Sequence, residues 1–417
     1  MIKRNFIWLV IASLLCVFAP SMSAADQIHL TYWTMASADQ WEQEFLDYIE
    51  AKHGIKVELV RMATNQAGYY DKLKVAITTG VGPDIFYVTG LQLPEFAGIA
   101  ADLAPYIDRD IDTQRLFMRT IDGARYPVDG PAVWAMPINY VVSVLFYNKD
   151  LFADAGVAAP TSDWTWEYLQ AISQKLTRQL SADPTDKIYG FSINNKYWLD
   201  MQPAILSNGG TILNAAHNAS AINNPAAADT LQFFRDMVAA GTTARPGMRN
   251  VGAAFLDSGR VAMNIHGSYQ SQYWLDNGIN FGIAMLPQGT RRRVVYGASD
   301  MLAISAFSQN PEAAWLVLME SAMGRPPEFF VAKGWFPVEA RLAASKAISE
   351  GMTAKGLDYR VIMESVNYME NTASLNWTNW VTAIRPLFDQ VLDGKLAAKS
   401  AVEQAELIMN NHINQFR

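Results

Sequence analysis

The chain has a single cysteine in 417 residues, Cys16, and it falls inside a segment that reads as a secretory signal. Lys3 and Arg4 open that segment, Ile7 to Phe18 is apolar, Pro20 ends the run, and Ser23-Ala24-Ala25 supplies the small residues a signal peptidase reads. An apolar stretch of about a dozen residues is shorter than the roughly 20 that span a bilayer. An uncleaved N-terminal anchor is the alternative. A lipoprotein signal wants a small residue before its cysteine, where Leu15 stands, so a soluble exported protein is expected. Without residues 1–25 no cysteine remains, which excludes a disulfide framework and thiol chemistry and suits an oxidising periplasm.

Positive charge is also short. Removing Lys3 and Arg4 leaves 31 basic against 40 acidic residues, a balance that argues against nucleic acid, whose phosphates need Lys and Arg. No run of 18 apolar residues follows the signal, so no membrane span is expected. Catalytic signatures are missing as well: there is no G-x-S-x-G, no H-E-x-x-H and no P-loop. Gly80-Val81-Gly82-Pro83-Asp84 lacks a third glycine and precedes a strand, so it is no dinucleotide fingerprint. His29, His53, His217, His266 and His412 lack ligand spacing. Asp108, Asp110 and Asp112 have calcium-loop spacing, but Thr113 and Arg119 stand where the loop needs glycine and glutamate. No catalytic residue, metal or cofactor is therefore expected. A glycosidase carboxylate pair is assembled in space, and spacing alone does not exclude one.

What is present is a strand–helix rhythm. Gln27–Trp33 reads as a strand, Trp41, Phe45 and Ile49 mark a helix stopped by Gly54, and Lys56–Val60 reads as a second strand. Tyr70, Leu73 and Ile77 mark another helix, stopped by Gly80, before the strand Asp84–Val88. Units of this kind predict a parallel, helix-covered sheet. Val141–Phe146 is apolar and β-branched or aromatic, a buried strand bounded by Pro-Ile-Asn-Tyr and Tyr-Asn-Lys-Asp. Further on, Asn224-Pro225 to Gly241 and Asn310-Pro311 to Gly324 each carry an amide cap, a first-turn proline and a terminal glycine. Strands are predicted in 259–267, 279–287 and 300–305, and helix from about residue 375. A mature chain of about 390 residues exceeds one usual core, and no Pro/Gly/Ser-rich linker is visible, so ordered segments must cross between two domains.

Twelve tryptophans is a high count. Trp33, Trp198, Trp335, Trp377 and Trp380, with Tyr269, stand at loops or element ends among Asn, Gln, Ser, Asp and Gly. A flat apolar ring beside amides and carboxylates matches a sugar, which has C–H faces and a hydroxyl rim. Core packing is the competing role for each ring. Trp41 and Trp315 fit apolar helix faces.

The segments "GIKVELV", "YYDKLKVAITTGVGPDIFYV", "WAMPINYVVSVLFYNKDLFADAGV" with "TWEYL", "NGGTILN", "FLDSGRVAMNIHGSY" with "FGIAMLP", and "GWFPV" follow in order. In this order the sequence resembles the extracellular solute-binding proteins of ABC sugar importers (family 1), the group that includes the maltodextrin-binding protein. The resemblance implies an α/β fold of two lobes in the Venus-flytrap arrangement, with three crossings near Met136–Tyr140, Tyr296–Asp300 and Trp335–Pro337. The lobes would be residues 26–138 plus 296–335 and 139–295 plus 336–417.

Carried over by position, the resemblance implies a cleft lined by Trp33, Met35, Ala36, Ser37 and Gln40 after the first strand and by Thr89 after the third. Asn139 and Tyr140 would face the cleft at the first crossing. Gly267, Ser268 and Tyr269 match a Gly-x-Trp pattern, with Tyr269 in place of the stacking tryptophan. Trp380, with Trp377 nearby, matches the aromatic of the late helix. Trp335 lies in the third crossing, and Tyr197 or Trp198 falls in a segment that aligns poorly. Asp300 departs from a pattern that often has glycines there; it could accept from two hydroxyls or from a cationic solute. The implied function is capture of a sugar in the periplasm by a monomer and its delivery to the transmembrane subunits of an ABC permease. A different solute on the same fold, such as a polyamine or a glycerol phosphoester, is one alternative. An enzyme on saccharides and a sensory partner are the others.

Overall fold

The computed structural model describes residues 27–415 other than 36–39, 63–65, 129, 182–186, 195–197, 246–247, 249–255 and 371–372. The expected signal peptide, Ala36, Ser37 and Tyr197 thus lie outside the described residues, and of Gln40 and Trp41 only the backbone is described.

The strands are β1 (Ile28–Met35), β2 (Ile55–Met62), β3 (Ile85–Thr89), β4 (Met136–Pro137), β5 (Val141–Asn148), β6 (Phe191–Ser192), β7 (Thr243–Ala244), β8 (Met263–Gly267), β9 (Phe281–Ala284), β10 (Val295–Ala298), β11 (Asp300–Ile304) and β12 (Met369–Glu370). They form two sheets, one in the order β2-β1-β3-β11-β4 and one in the order β12-β10-β5-β8-β6-β7, with β9 also on β5. Helices pack on both, as a two-lobe α/β fold requires.

The first sheet begins with β1 parallel to both β2 and β3. The helix Gln40–His53 between β1 and β2 buries Phe45, Leu46 and Ile49, the stripe that the four-residue spacing predicts. Gly54, at φ +68°, ends it in the left-handed region where a Cβ is strained. Asp84 of the Gly-Pro-Asp turn has a structural task. Its carboxylate accepts from the Thr31 amide at 2.9 Å and from the Ser308 hydroxyl at 2.6 Å, joining β1 to the chain beyond β11.

Buried apolar residues fill β5 from Val142 to Phe146, apart from Ser143, and β5 pairs antiparallel with β8, β9 and β10. At its end the Asn148 side chain accepts from the Asp150 and Leu151 amides and caps the helix Lys149–Asp154. Tyr-Asn-Lys-Asp is therefore a strand-to-helix joint. Asn224 makes its expected cap on the Ala227 amide. Asn310 makes no side-chain cap; its own amide instead donates to the Ser308 hydroxyl.

The chain crosses between sheets twice through short strand-to-strand steps. Met136–Pro137 pairs with β11 in the first sheet, and Val141 onward belongs to the second. On the return, β10 is in the second sheet and β11 in the first. Position 296 lies within β10, and Ser299 lies between β10 and β11. A third juxtaposition is the bridge between Tyr140 and Phe336, whose carbonyl accepts the Tyr140 amide at 3.0 Å.

Candidate functional site

The step between the sheets carries a carboxylate. Asp300, the first residue of β11, is the Cα partner of Thr89, the last residue of β3. Its Oδ1 accepts from the Tyr87 hydroxyl at 2.5 Å and its Oδ2 from Asn139 Nδ2 at 3.0 Å. Asn139 Oδ1 in turn accepts the Asp300 amide at 3.3 Å. Among the described residues these side-chain partners are all neutral. Burial first, and the Asp300 charge second, push the Tyr87 hydroxyl well above its ordinary value, so it stays a proton donor. Two fixed donors leave lone pairs of the carboxylate for a further donor.

From Asp300 the second lobe continues the arrangement. Tyr296, two residues before the strand break, is buried. Burial and the neighbouring Tyr269 raise its hydroxyl, and the Trp198 indole lies within hydrogen-bonding reach. Trp198 is half-buried and meets Trp377 edge to face at 5.0 Å. Tyr269 stands 39% exposed, its ring edge-on to His266 at 5.3 Å. Gly267 is required by this ring: a Cβ there would meet Tyr269 Cε1 at 2.2 Å. Ser268 is fully buried, its amide donating to the Val142 carbonyl at 2.8 Å and its hydroxyl accepting from the Val142 amide at 3.3 Å. It anchors the turn that presents Tyr269, and its side chain does not face a ligand.

The first lobe contributes the ends of β1 and β3. Trp33 is half-buried near the end of β1, and the Tyr69 hydroxyl lies 2.9 Å from the carbonyls of both Trp33 and Tyr87, fixing the two strand ends together. The Thr89 hydroxyl donates to Gln92 Oε1 at 2.6 Å, and Gln92 Nε2 donates across to the Thr378 hydroxyl on the other lobe. A circuit of contacts thus runs from Asp300 through Thr89, Gln92, Thr378, Trp377, Trp198 and Tyr296 back toward Asp300.

Of the expected cleft residues, Tyr140, Ser268 and Trp380 are buried, as are Asn139 and Trp377. Tyr140 is fully buried between Phe117 and Phe336, at ring distances of 5.5 and 5.8 Å, with its hydroxyl on Met363 Sδ. Trp380 is 3% exposed; its indole donates to the Ser374 hydroxyl at 2.9 Å, and it lines a largely apolar pocket with Trp198, Ile205, Ile384, Arg385 and Phe388. Trp380 sits one turn into the helix Trp377–Leu392, on the stripe it shares with Ile384, Phe388 and Val391. Trp377, only 4% exposed, keeps its indole N–H buried with no partner among the described residues. Trp335 is set apart from the circuit, packed edge-on to Phe329 at 5.6 Å beneath the Lys333 ammonium at 5.2 Å.

Tyr87, Tyr296, Gln92 and Thr378 were not among the expected site residues. Tyr87 had a signal in strand alternation, which puts it on the same face as Thr89. Gln92 and Thr378 had none, because 286 positions separate them. Among the described residues no cluster of His, Cys, Asp and Glu is arranged to hold a metal ion.

Two sheets joined by short crossings, with polar and aromatic groups converging between them, define the class of ligand-binding proteins that close on a solute. Residues 32–319 match the family of bacterial extracellular solute-binding proteins, and the chain belongs to that family. A protein of Brucella abortus named as a binding protein is 28% identical over 268 residues, 59% of this chain; the matched stretch is 60% of that relative's length. The galactooligosaccharide-binding protein of Bacillus subtilis is 24% identical over 401 residues, covering 92% of this chain and 89% of that one. Among solved structures, the sugar-binding protein MalE of Xanthomonas citri matches with a TM-score of 0.78 and 19% identity, covering 93% of this chain and 98% of that one. An ABC substrate-binding protein of Listeria monocytogenes in complex with cycloalternan matches with a TM-score of 0.77 and 23% identity over 93% and 100% of the two chains. The fold is thus that of the two-lobe periplasmic binding proteins.

Proposed function

We propose that the protein captures a sugar, a mono- or oligosaccharide, between its lobes outside the cytoplasmic membrane and delivers it to the permease of an ABC importer. The carrying observation is a presented ring, Tyr269, and a carboxylate, Asp300, both close enough to Tyr296 to act on its hydroxyl, the carboxylate having neutral donors as side-chain partners. A ring face covers sugar C–H groups while a carboxylate accepts hydroxyls. Names among the relatives and structural neighbours support a saccharide. The ligand contacts proposed are Trp33, Thr89, Trp198, Tyr269 and Asp300, with Asn139 and Gly267 holding two of them in place. The lobes are proposed to divide at 138/139, at Ser299 and near 335/336. Binding shifts the population of open and closed forms, because only the closed form touches the solute from both sides, and the reading assigns the chain no catalytic step.

The test is a thermal-shift and calorimetric screen of the mature protein against maltose, maltotriose, galactooligosaccharides and chitobiose, with polyamines and glycerol phosphates as the competing classes. A solute that binds only the native state raises the unfolding midpoint. The expected result is a saccharide hit. Tyr269→Ala is expected to weaken it about ten- to a hundredfold. Gly267→Ala, which displaces the ring and keeps it chemically intact, is expected to weaken it in the same direction with β8 still paired. A hit among polyamines alone, or saccharide binding indifferent to both substitutions, would remove this reading.

A further inference from the structure

We propose that Gln92 and Thr378 form a latch between the lobes, so that Gln92 sets solute affinity by setting how much of the protein is closed. This rests on the reading of the chain as a lobe-closing binding protein and adds to it a residue that positions the lobes without touching the reacting or bound atoms.

The bond is built from both sides. Gln92 follows β3 and is 3% exposed. The Thr89 hydroxyl donates to its Oε1 at 2.6 Å, which fixes the amide with Nε2 pointing outward to the Thr378 hydroxyl. Thr89 is itself held, its amide donating to the Tyr70 hydroxyl at 3.1 Å. Thr378 lies in the first turn of the helix Trp377–Leu392, which packs with the helices Pro225–Ala239 and Ala398–Asn414 of the other lobe. The residue before that helix, Asn376, donates through Nδ2 to the His412 carbonyl at 3.0 Å. Neither end has slack, so a hinge opening that carries β3 away from this helix must break the bond. The latch lies between Thr89 and Trp377, and it forms in the same motion that brings those two cleft positions together.

Once open, both groups meet water, so the net contribution is that of one ordinary hydrogen bond, about three- to tenfold in the closed-to-open ratio. Apparent affinity falls by the fraction of binding-competent form. A buried amide with no purpose in closure would have its donor paired within its own lobe; here it is paired across the gap.

The expected mature chain lacks cysteine, so spin labels can be placed on Lys72→Cys in one lobe and Lys399→Cys in the other, both exposed positions. Electron–electron distance measurements are made with no solute present, on wild type, Gln92→Leu, Thr378→Val and the double variant. These substitutions nearly keep side-chain volume and remove one partner each. The expected result is a three- to tenfold loss of the short-distance population in each single variant, with no further loss in the double variant, as a shared bond requires. Unchanged distances in both single variants, or losses that add in the double variant, would overturn the latch. A failed saccharide screen leaves this result standing, and a failed latch leaves the screen standing, so the two readings are separable.

Discussion

Glu42→Ala is expected to destabilise the protein by about 3–5 kcal/mol in chemical denaturation, a large share of the stability of an ordinary domain. Both oxygens of Glu42 lie near Arg325 Nη2, at 3.0 and 3.1 Å, and both side chains are almost wholly buried. The guanidinium is clamped between two rings, 4.0 Å from the Phe45 centroid and 4.3 Å from the Phe329 centroid. Its Nε donates to the Ser321 carbonyl, and its Nη1 is buried with no partner among the described residues. The cation therefore has little to spare. Taking away the carboxylate leaves a buried charge facing rings and one carbonyl, and the ring faces recover only about 2 kcal/mol of that. Both side chains are largely shielded from solvent, so added salt is expected to change the effect little.

Reversal is the sharper half of the prediction. Replacing both partners with apolar side chains of similar length, Glu42→Leu with Arg325→Met, is expected to restore most of the loss, because the desolvation cost of both charges disappears along with their attraction. A Glu42→Ala variant within 1 kcal/mol of wild type would show that water reaches the pair. The position links stability to the cleft. Glu42 lies in the first turn of the helix that leaves the end of β1, where Trp33 sits, and Arg325 precedes the helix Pro327–Lys333. The pair locks that end of the helix against the body of its lobe.

The large pattern was readable because it is local. Apolar spacing in Phe45, Ile49, Leu73 and Ile77 and the Asn224 cap each follow from residues within one element, and the structure has each where the spacing predicts. The two-residue strands β4, β6, β7 and β12 carry no period of their own and exist only through their partners. Trp380 carried two signals: the resemblance puts it at the cleft, and its spacing to Ile384 and Phe388 is that of an apolar stripe. Tyr140 is the opposite case. It stands just before β5, in an isolated bridge to Phe336 far along the chain, so nothing local told which way its ring would turn. The Asp300 cluster needed three segments, β3, β11 and Asn139 between β4 and β5, to meet at one point.

The second large effect is a pH dependence set by Asp200. This carboxyl is fully buried at the start of the helix Met201–Ser207, two residues after Trp198. Burial pushes its pKa up from 3.8 to about 7, against the pull of two backbone amides, Asn194 at 2.6 Å and Met201 at 2.8 Å, which favour the anion. Because the folded value is the higher one, the folded chain holds a proton that the unfolded chain has released everywhere between about pH 4 and pH 7. Stability is therefore expected to fall as pH rises through that window and to level off above it. A rise of about three pH units, at about 1.36 kcal/mol each, sets the size at about 4 kcal/mol. Denaturation of wild type and Asp200→Asn across pH 4 to 8 checks this. The amide accepts one of the two backbone N–H groups and offends the other, so its absolute stability is lower, and the comparison is of slopes. A flat profile for the variant beside a falling one for wild type is expected. Parallel profiles would mean that the two amide donors outweigh burial and the group is already ionised in the fold. On the raised value, wild type above pH 7 carries a buried negative charge two residues from Trp198, a proposed ligand contact, so solute affinity in wild type, and not in Asp200→Asn, is expected to weaken over the same pH range.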